Sequence, residues 1–170
     1  LSKGAHLHVR IDLKIGGHEH NVLRPTVAAG IHGLLALPNC AGVFIQHPCG
    51  PWAAPRFLKD GGPSPLFTDA FPNGLEVNGV VVDEAVAALR MQRIMLELAQ
   101  TCIDNGGWVL VEQPVSQGSG PYASAELKHH VNSYCTDQFV AFAVLNALGD
   151  VFTDQCMSGA DTRKATHLAA

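Results

Sequence analysis

Apolar and polar positions along this chain change period at recognisable points, and each change predicts an element. Ala41-Gly-Val-Phe-Ile-Gln46 and Trp108-Val-Leu-Val-Glu112 are short runs rich in β-branched and aromatic residues, each followed within two positions by a proline. Continuous rather than alternating apolarity predicts strands buried on both faces, as in parallel sheets. From Asp83 to Asp104 the period lengthens to that of a helix: Met91, Ile94, Met95, Leu98 and Cys102 share one face, Asp83 can cap the start, and Asn105-Gly106-Gly107 stops it. Residues Pro25 to Leu37 read as a second helix, with Pro25 in the first turn where its missing N–H costs nothing. His6-Leu-His-Val-Arg-Ile-Asp12 alternates weakly and predicts a strand closed by Gly16-Gly17. Ser124–Val131 and Thr136–Leu148 read as helical, and Val151 opens a last strand region through Cys156 in a hairpin-like ending.

Strands alternating with helices in this order predict an α/β domain with a mostly parallel sheet, right-handed crossovers and helices on both faces. Between residues 50 and 79 the pattern breaks down into prolines and glycines, including Asp60-Gly-Gly-Pro-Ser-Pro65 and Phe71-Pro-Asn-Gly74. A loop of this length in a compact domain is usually functional or disordered.

With 170 residues, 47% of them hydrophobic, the chain supports a single core. A net charge of -4 supplies no basic field for a free-standing nucleic-acid binder. The five cysteines, Cys40, Cys49, Cys102, Cys135 and Cys156, lack CxxC spacing, and their odd number fits the reduced thiols of an intracellular compartment better than a disulfide framework. No apolar run approaches the roughly 18 residues of a membrane span, so a soluble protein with no membrane partner is expected. The chain opens without methionine and runs almost directly into a strand-like stretch, which predicts a fragment or processed piece.

The two clearest strands end on reactive side chains, Cys49 just past the first and Glu112 at the tip of the second. Ligands of open α/β sheets bind at the carboxyl ends of strands, so a thiol and a carboxylate there can converge on one substrate. A cysteine attacks only as thiolate, and Arg56 and His47 are the nearby groups that could favour ionisation. The plainer alternative is one more buried cysteine and a glutamate that caps a turn. Other groupings are weaker. Cys49 and Arg56 enclose six residues where the phosphate loop of tyrosine phosphatases needs five, and Pro51 and Pro55 remove two donors from it. His18-Glu-His20, with His129-His130 or Cys49, has metal-ligating residue types, but histidine pairs in loops are more often solvated, and no metal is expected. Trp52 and Phe57 can either stack on a base or pin the long loop to the core.

The residues around these termini add a resemblance. His47-Pro48-Cys49 before a Pro/Gly loop, Glu112-Gln113-Pro114 after a strand, and Asp154-Gln-Cys-Met-Ser-Gly-Ala-Asp-Thr-Arg-Lys164-Ala-Thr166 resemble, in order and spacing, a divergent group related to the DNA cytosine-5 methyltransferases. The resemblance runs from about Val9 to Thr166 as a chain of short motifs. It implies a Rossmann-like methyltransferase fold and methyl transfer from S-adenosylmethionine to C5 of cytosine in DNA. Cys49 would add to C6, Glu112 would engage N3, and Arg56 and Lys164 would contact the nucleic acid. Asp12 and Asn21 match the positions that hold the cofactor's ribose and adenine, with Asn21 standing where relatives carry Asp, and Pro48 lies beside the cofactor. The Gly-rich cofactor turn that follows the first strand in these enzymes has no counterpart, so the domain spanning residues 1–170 is expected to be incomplete at its N-terminus. His47, the Gly50-Pro-Trp52 continuation and Gln113 also depart from the usual motifs. Those departures carry a rival expectation, a catalytically degenerate remnant or interaction domain; a third, a metal-binding module, rests on His18 and His20 instead.

Overall fold

The computed structural model describes residues 9–46, 48–58, 62–118, 123–154 and 165–170. Its centre is the pair of apolar runs. They form β1 (Gly42–Gln46) and β4 (Trp108–Pro114), which lie side by side and parallel, in a register that sets Gly42 opposite Trp108 and Gln46 opposite Glu112. The chain crosses from one to the other through a long helix, as parallel pairing requires. Before β1 comes α1 (Leu13–Gly16) and then α2 (Pro25–Leu35), which carries Pro25 at its first position as the sequence implies. The crossover helix is α3 (Asp83–Asp104). It starts at an extended Val82 with no side-chain cap, so Asp83 is a first-turn residue and acts, with Glu84, on the positive end of the helix. It stops where expected: Gly106 takes φ +78°, and the Cys102 carbonyl receives the N–H groups of Asn105 and Gly107.

The sheet corrects the expectation of a mostly parallel, Rossmann-like methyltransferase sheet. Its four strands run in the order β1-β4-β6-β5, where β5 is Asp150–Asp154 and β6 is Ala165–Ala169. Only the β1–β4 pairing is parallel; β4–β6 and β6–β5 are antiparallel. The physical reason is the short return between the last two strands, where only residues 155–164 intervene. A parallel crossover needs a dozen or more residues, usually with a helix, whereas an antiparallel return does not. The hairpin-like ending is therefore real, and it places β6 between β4 and β5.

Helices on both faces are also corrected. By strand alternation, Val43, Ile45, Val109, Val111 and Ala169 share one face, and they form a single cluster with Leu35 of α2, Leu96, Leu98, Ala99 and Cys102 of α3, and Phe139 and Phe142 of α4 (Asp137–Leu145). The other face carries Phe44, Trp108 and Val151, which are 48%, 56% and 55% exposed. The strand expected over 6–12 is absent from the described residues of that stretch: 9–12 belong to no strand, and the chain enters α1 directly after Asp12. The helix expected over Ser124–Val131 contracts to a 3-10 turn at Ala125–Leu127.

The Pro/Gly segment is ordered where it is described. Trp52, Leu66 and Phe67 pack on Ala85, Ala88 and Val131 as a second apolar cluster against the first half of α3. Two 3-10 turns, Gly50–Trp52 and Ala54–Phe57, occupy its start. A two-residue hairpin joins β2 (Glu76–Val77) to β3 (Val80–Val81) near its end. Asn78 and Gly79 take φ of 54° and 76°, the left-handed pair that an Asn-Gly turn supplies.

Candidate active site

Because β1 and β4 are parallel and adjacent, both leave the sheet at the same end. Gln46 is the last residue of β1 and stands directly opposite Glu112. Its Nε2 donates to Glu112 Oε2 at 3.3 Å. Glu112 is only 5% exposed, so the carboxyl group is held in a restricted setting rather than swept by solvent. Cys49 follows Gln46 by three residues and is exposed. Chain geometry limits its Cα to within roughly 11 Å of that of Gln46, with the two strands about 4.8 Å apart. Cys49 therefore follows the strand end at which Glu112 stands. His47 lies outside the described residues.

The strand behind Glu112 is fixed on both sides of it. The Tyr134 hydroxyl donates to the Val111 carbonyl at 2.7 Å, and Asn132 Nδ2 donates to the Pro114 carbonyl at 3.2 Å. Burial, then the negative charges of Glu112 and Asp150, push the Tyr134 hydroxyl above its ordinary pKa of 10.0, so it remains a donor. Asn132 Oδ1 also accepts from Tyr134 N–H at 3.2 Å, which orients the turn carrying both groups.

On the Cys49 side the loop is held by Arg56, whose Nε donates to the Gly50 carbonyl at 2.9 Å and whose Nη1 donates to the Ser64 carbonyl at 3.0 Å. Its Nη2 pairs with Glu84 in the first turn of α3. Where the sequence leads one to expect contact with nucleic acid or service to the thiolate, the Arg56 guanidinium ties the loop to α3, with three of its five N–H donors engaged within the chain. Trp52 and Phe57 also take the packing role rather than the stacking one. The Trp52 ring stacks on Phe67 at 4.5 Å between centroids, and Phe57 meets His130 edge-on at 5.2 Å.

His130 joins these two halves and is buried. Its Nδ1 accepts the Gln117 N–H at 2.9 Å and its Nε2 donates to the Trp52 carbonyl at 2.9 Å. An amide N–H can only donate and a carbonyl can only accept, so this is the neutral imidazole with its hydrogen on Nε2. Burial lowers its pKa from the ordinary 6.5. The unfolded chain then takes up a proton that the folded chain refuses, so this contribution to stability is complete above about pH 6.5 and is lost as pH falls. Urea midpoints measured from about pH 7.5 to about pH 5 should fall, and His130→Phe should remove part of that slope. The lowered carboxyls of Asp12 and Asp69 act in the acid range below their ordinary 3.8 and leave this window clear.

Close backbone packing makes Gly118 obligatory here. A Cβ at that position would stand 2.3 Å from the His130 carbonyl oxygen and 2.9 Å from that of Lys128. Gly118→Ala must push the 128–130 turn away, with an expected loss of about 1–3 kcal/mol in urea denaturation.

Cys49 differs from the other described cysteines in being open to solvent. Burial pushes the Cys102 thiol up to about 11, with Cys40 adding to the effect, and burial also raises Cys135. Iodoacetamide at neutral pH should therefore alkylate Cys49 while Cys102 and Cys135 stay unmodified, as peptide mass spectrometry would register. Cys156 lies outside the described residues.

Asp12 and Asn21 occupy short turns before α2 rather than the end of a strand. Asp12 Oδ1 accepts Lys14 N–H at 2.9 Å and Oδ2 pairs with Arg10 at 2.8 Å; these two contacts lower its pKa and keep it ionised. Asn21 Oδ1 accepts Leu23 N–H at 3.0 Å. Pro48 is exposed beside Cys49, and Lys164 lies outside the described residues. His20 Nδ1 accepts Asp12 N–H at 3.1 Å, and His129 pairs with Asp69 at 3.0 Å. Among the described residues no group of His, Cys, Asp or Glu side chains could hold a metal ion, and no helix is long and apolar enough to cross a membrane. Beside the β5–β6 hairpin a cavity of about 330 Å³ opens between Tyr134, Phe139, Val144, Phe152 and His167. It lies on the helix-covered face, opposite the one to which alternation assigns Glu112.

Gln46, Asn132 and Tyr134 are the site residues that sequence reasoning misses, and His130 enters it only as a metal-ligating type. Of the first three, Gln46 alone leaves a trace there, as the polar end of an apolar run whose partner strand ends on a polar residue. Comparison with known proteins adds no relative: no family model, no curated protein and no solved structure matches the chain.

Proposed function

We propose that the chain carries out cytosine-5 methyl transfer on DNA through a covalent cysteine adduct. The observation that carries the reading is the parallel pairing that sets Gln46 and Glu112 opposite each other with the exposed Cys49 just beyond. Covalent attack on an electron-poor heterocycle needs a nucleophile at one atom and a proton donor or acceptor at another, and this pairing delivers one of each. The Cys49 thiolate forms a bond to C6 of cytosine, the ring electrons shift toward N3, and the protonated form of the Glu112 carboxyl delivers its proton there. C5 becomes nucleophilic and receives the methyl group. A base then removes the C5 proton, the N3 proton returns to the Glu112 carboxylate, and the returning electrons break the S–C6 bond and release the thiolate. Gln46 orients the Glu112 carboxyl group, while Tyr134 and Asn132 hold the strand on which it is mounted.

S-adenosylmethionine supplies the methyl group and leaves as its thioether. The donor chemistry of the Asp12 turn fits it: an ionised carboxylate with one bond accepted at each oxygen retains lone pairs for ribose hydroxyls, and Asn21 is available to the adenine. Cytosine in DNA is the partner, and it must leave the base stack to reach Cys49. The test is transfer of tritium from methyl-labelled S-adenosylmethionine to oligonucleotides, followed by digestion to nucleosides. Label in 5-methylcytosine supports the reading; label elsewhere, or none from folded protein, overturns it.

A further inference from the structure

The Cys49 side and the Glu112 side of the site belong to separate stretches of chain, and a single buried side chain spans them. Trp52 follows Cys49 by three residues and Gln117 follows Glu112 by five. Both are bonded to the same imidazole through backbone groups, at 2.9 Å each. The surrounding contacts reinforce the bridge: the His130 carbonyl accepts from the Ser116 hydroxyl at 2.8 Å, Phe57 packs edge-on, and residue 130 pairs with Thr68 in an isolated bridge.

We propose that His130 is a positioning residue which, in its neutral Nε2–H form, ties the loop carrying Cys49 to the chain leaving Glu112 and thereby sets their approach. Its effect on rate rests on the methyl-transfer reading; the tie itself does not. Protonation would place an Nδ1–H against the Gln117 N–H, two donors facing each other, and break one half of the bridge. The groups placed against the ring are uncharged, the Gln117 N–H, the Trp52 carbonyl and the Phe57 ring, while Ser116 and Thr68 pair with the His130 backbone. Asp69, next along, is taken up by His129, and the influences on the imidazole are burial and the Trp52 carbonyl alone.

The experiment compares the full chain with His130→Phe, which keeps a ring and loses both bonds, and with His130→Gln, which can still donate toward Trp52. Three readouts are taken: the imidazole tautomer by long-range nitrogen-15 NMR across the acid range, the rate of Cys49 alkylation by iodoacetamide, and kcat and KM for methyl transfer. The expected result is an Nε2–H imidazole at His130 that stays neutral below the ordinary imidazole pKa of about 6.5. In His130→Phe, Cys49 alkylation should change several-fold and kcat should fall by roughly 10²-fold with KM little altered, the scale of a small misplacement. His130→Gln should recover most of both. Equal impairment in the two variants, unchanged Cys49 reactivity in His130→Phe, or an imidazole that titrates at about 6.5 or above would overturn the proposal. If the wild type transfers no methyl group, the methyl-transfer reading falls by itself, because tautomer and alkylation still decide the tie.

Discussion

Cys49→Ser is expected to lower methyl transfer by at least roughly 10³-fold while leaving the fold intact. The two halves of that expectation have different origins. Loss of activity follows because a serine hydroxyl is not ionised at neutral pH, and among the described residues no general base is bonded to position 49. Retention of the fold follows because Cys49 is exposed and belongs to neither apolar cluster. Glu112→Gln is the companion change: it keeps shape and preserves a hydrogen bond with Gln46, yet removes the group that exchanges a proton with N3, at an expected loss of about 10²–10⁴-fold in kcat. Kinetics at saturating cofactor, with thermal unfolding as control, separate these outcomes. Equal loss of stability and activity in either variant would show that the pair is architectural.

The largest stability effect is expected at Tyr134. Its ring stacks on Phe139 at 4.1 Å and meets His167 edge-on at 4.4 Å, and its hydroxyl donates to Val111. It therefore connects the turn after Asn132, the β4 strand, α4 and β6. Tyr134→Ala removes a buried aromatic side chain and should cost about 3–5 kcal/mol. Tyr134→Phe keeps the stack and deletes only the hydrogen bond, which should cost about 1–2 kcal/mol. Urea denaturation distinguishes the two. Similar losses in both variants would place the stabilisation in the hydroxyl rather than in the ring.

Much of the local structure was legible in the chain, and the reasons are specific. β1, β4 and α3 have strong and different apolar periods, and the stop at Asn105-Gly106-Gly107 needs only one left-handed residue. Strand direction was less legible. Apolar runs report burial, not the sense of the neighbouring strand, so the antiparallel insertion of β6 depended on the short stretch 155–164 rather than on any strand composition. The same limit applies to the helices: Phe44, Trp108 and Val151 are as apolar as the strand residues that α2, α3 and α4 cover, yet they stay exposed. In the site, Cys49 and Glu112 stood out because reactive side chains closed apolar runs. For Arg56 the sequence is ambiguous, because a cation near a thiol looks the same whether it faces a ligand or the loop's own carbonyls. His130 reads in sequence only as a metal-ligating type, because its bridging depends on two backbone groups, from residues 52 and 117, which no side-chain pattern records. The Asn78-Gly79 hairpin was within reach, since that dipeptide between valines is a turn signal.

The most direct test of the central claim is covalent capture on an oligonucleotide containing 5-fluorocytosine, where fluorine at C5 blocks the final proton loss. With S-adenosylmethionine present, the account expects a denaturation-resistant protein–DNA adduct, one methyl group heavier and attached through Cys49, absent from Cys49→Ser and absent without cofactor. A folded wild-type protein that forms no adduct, or forms one through another residue, would contradict it.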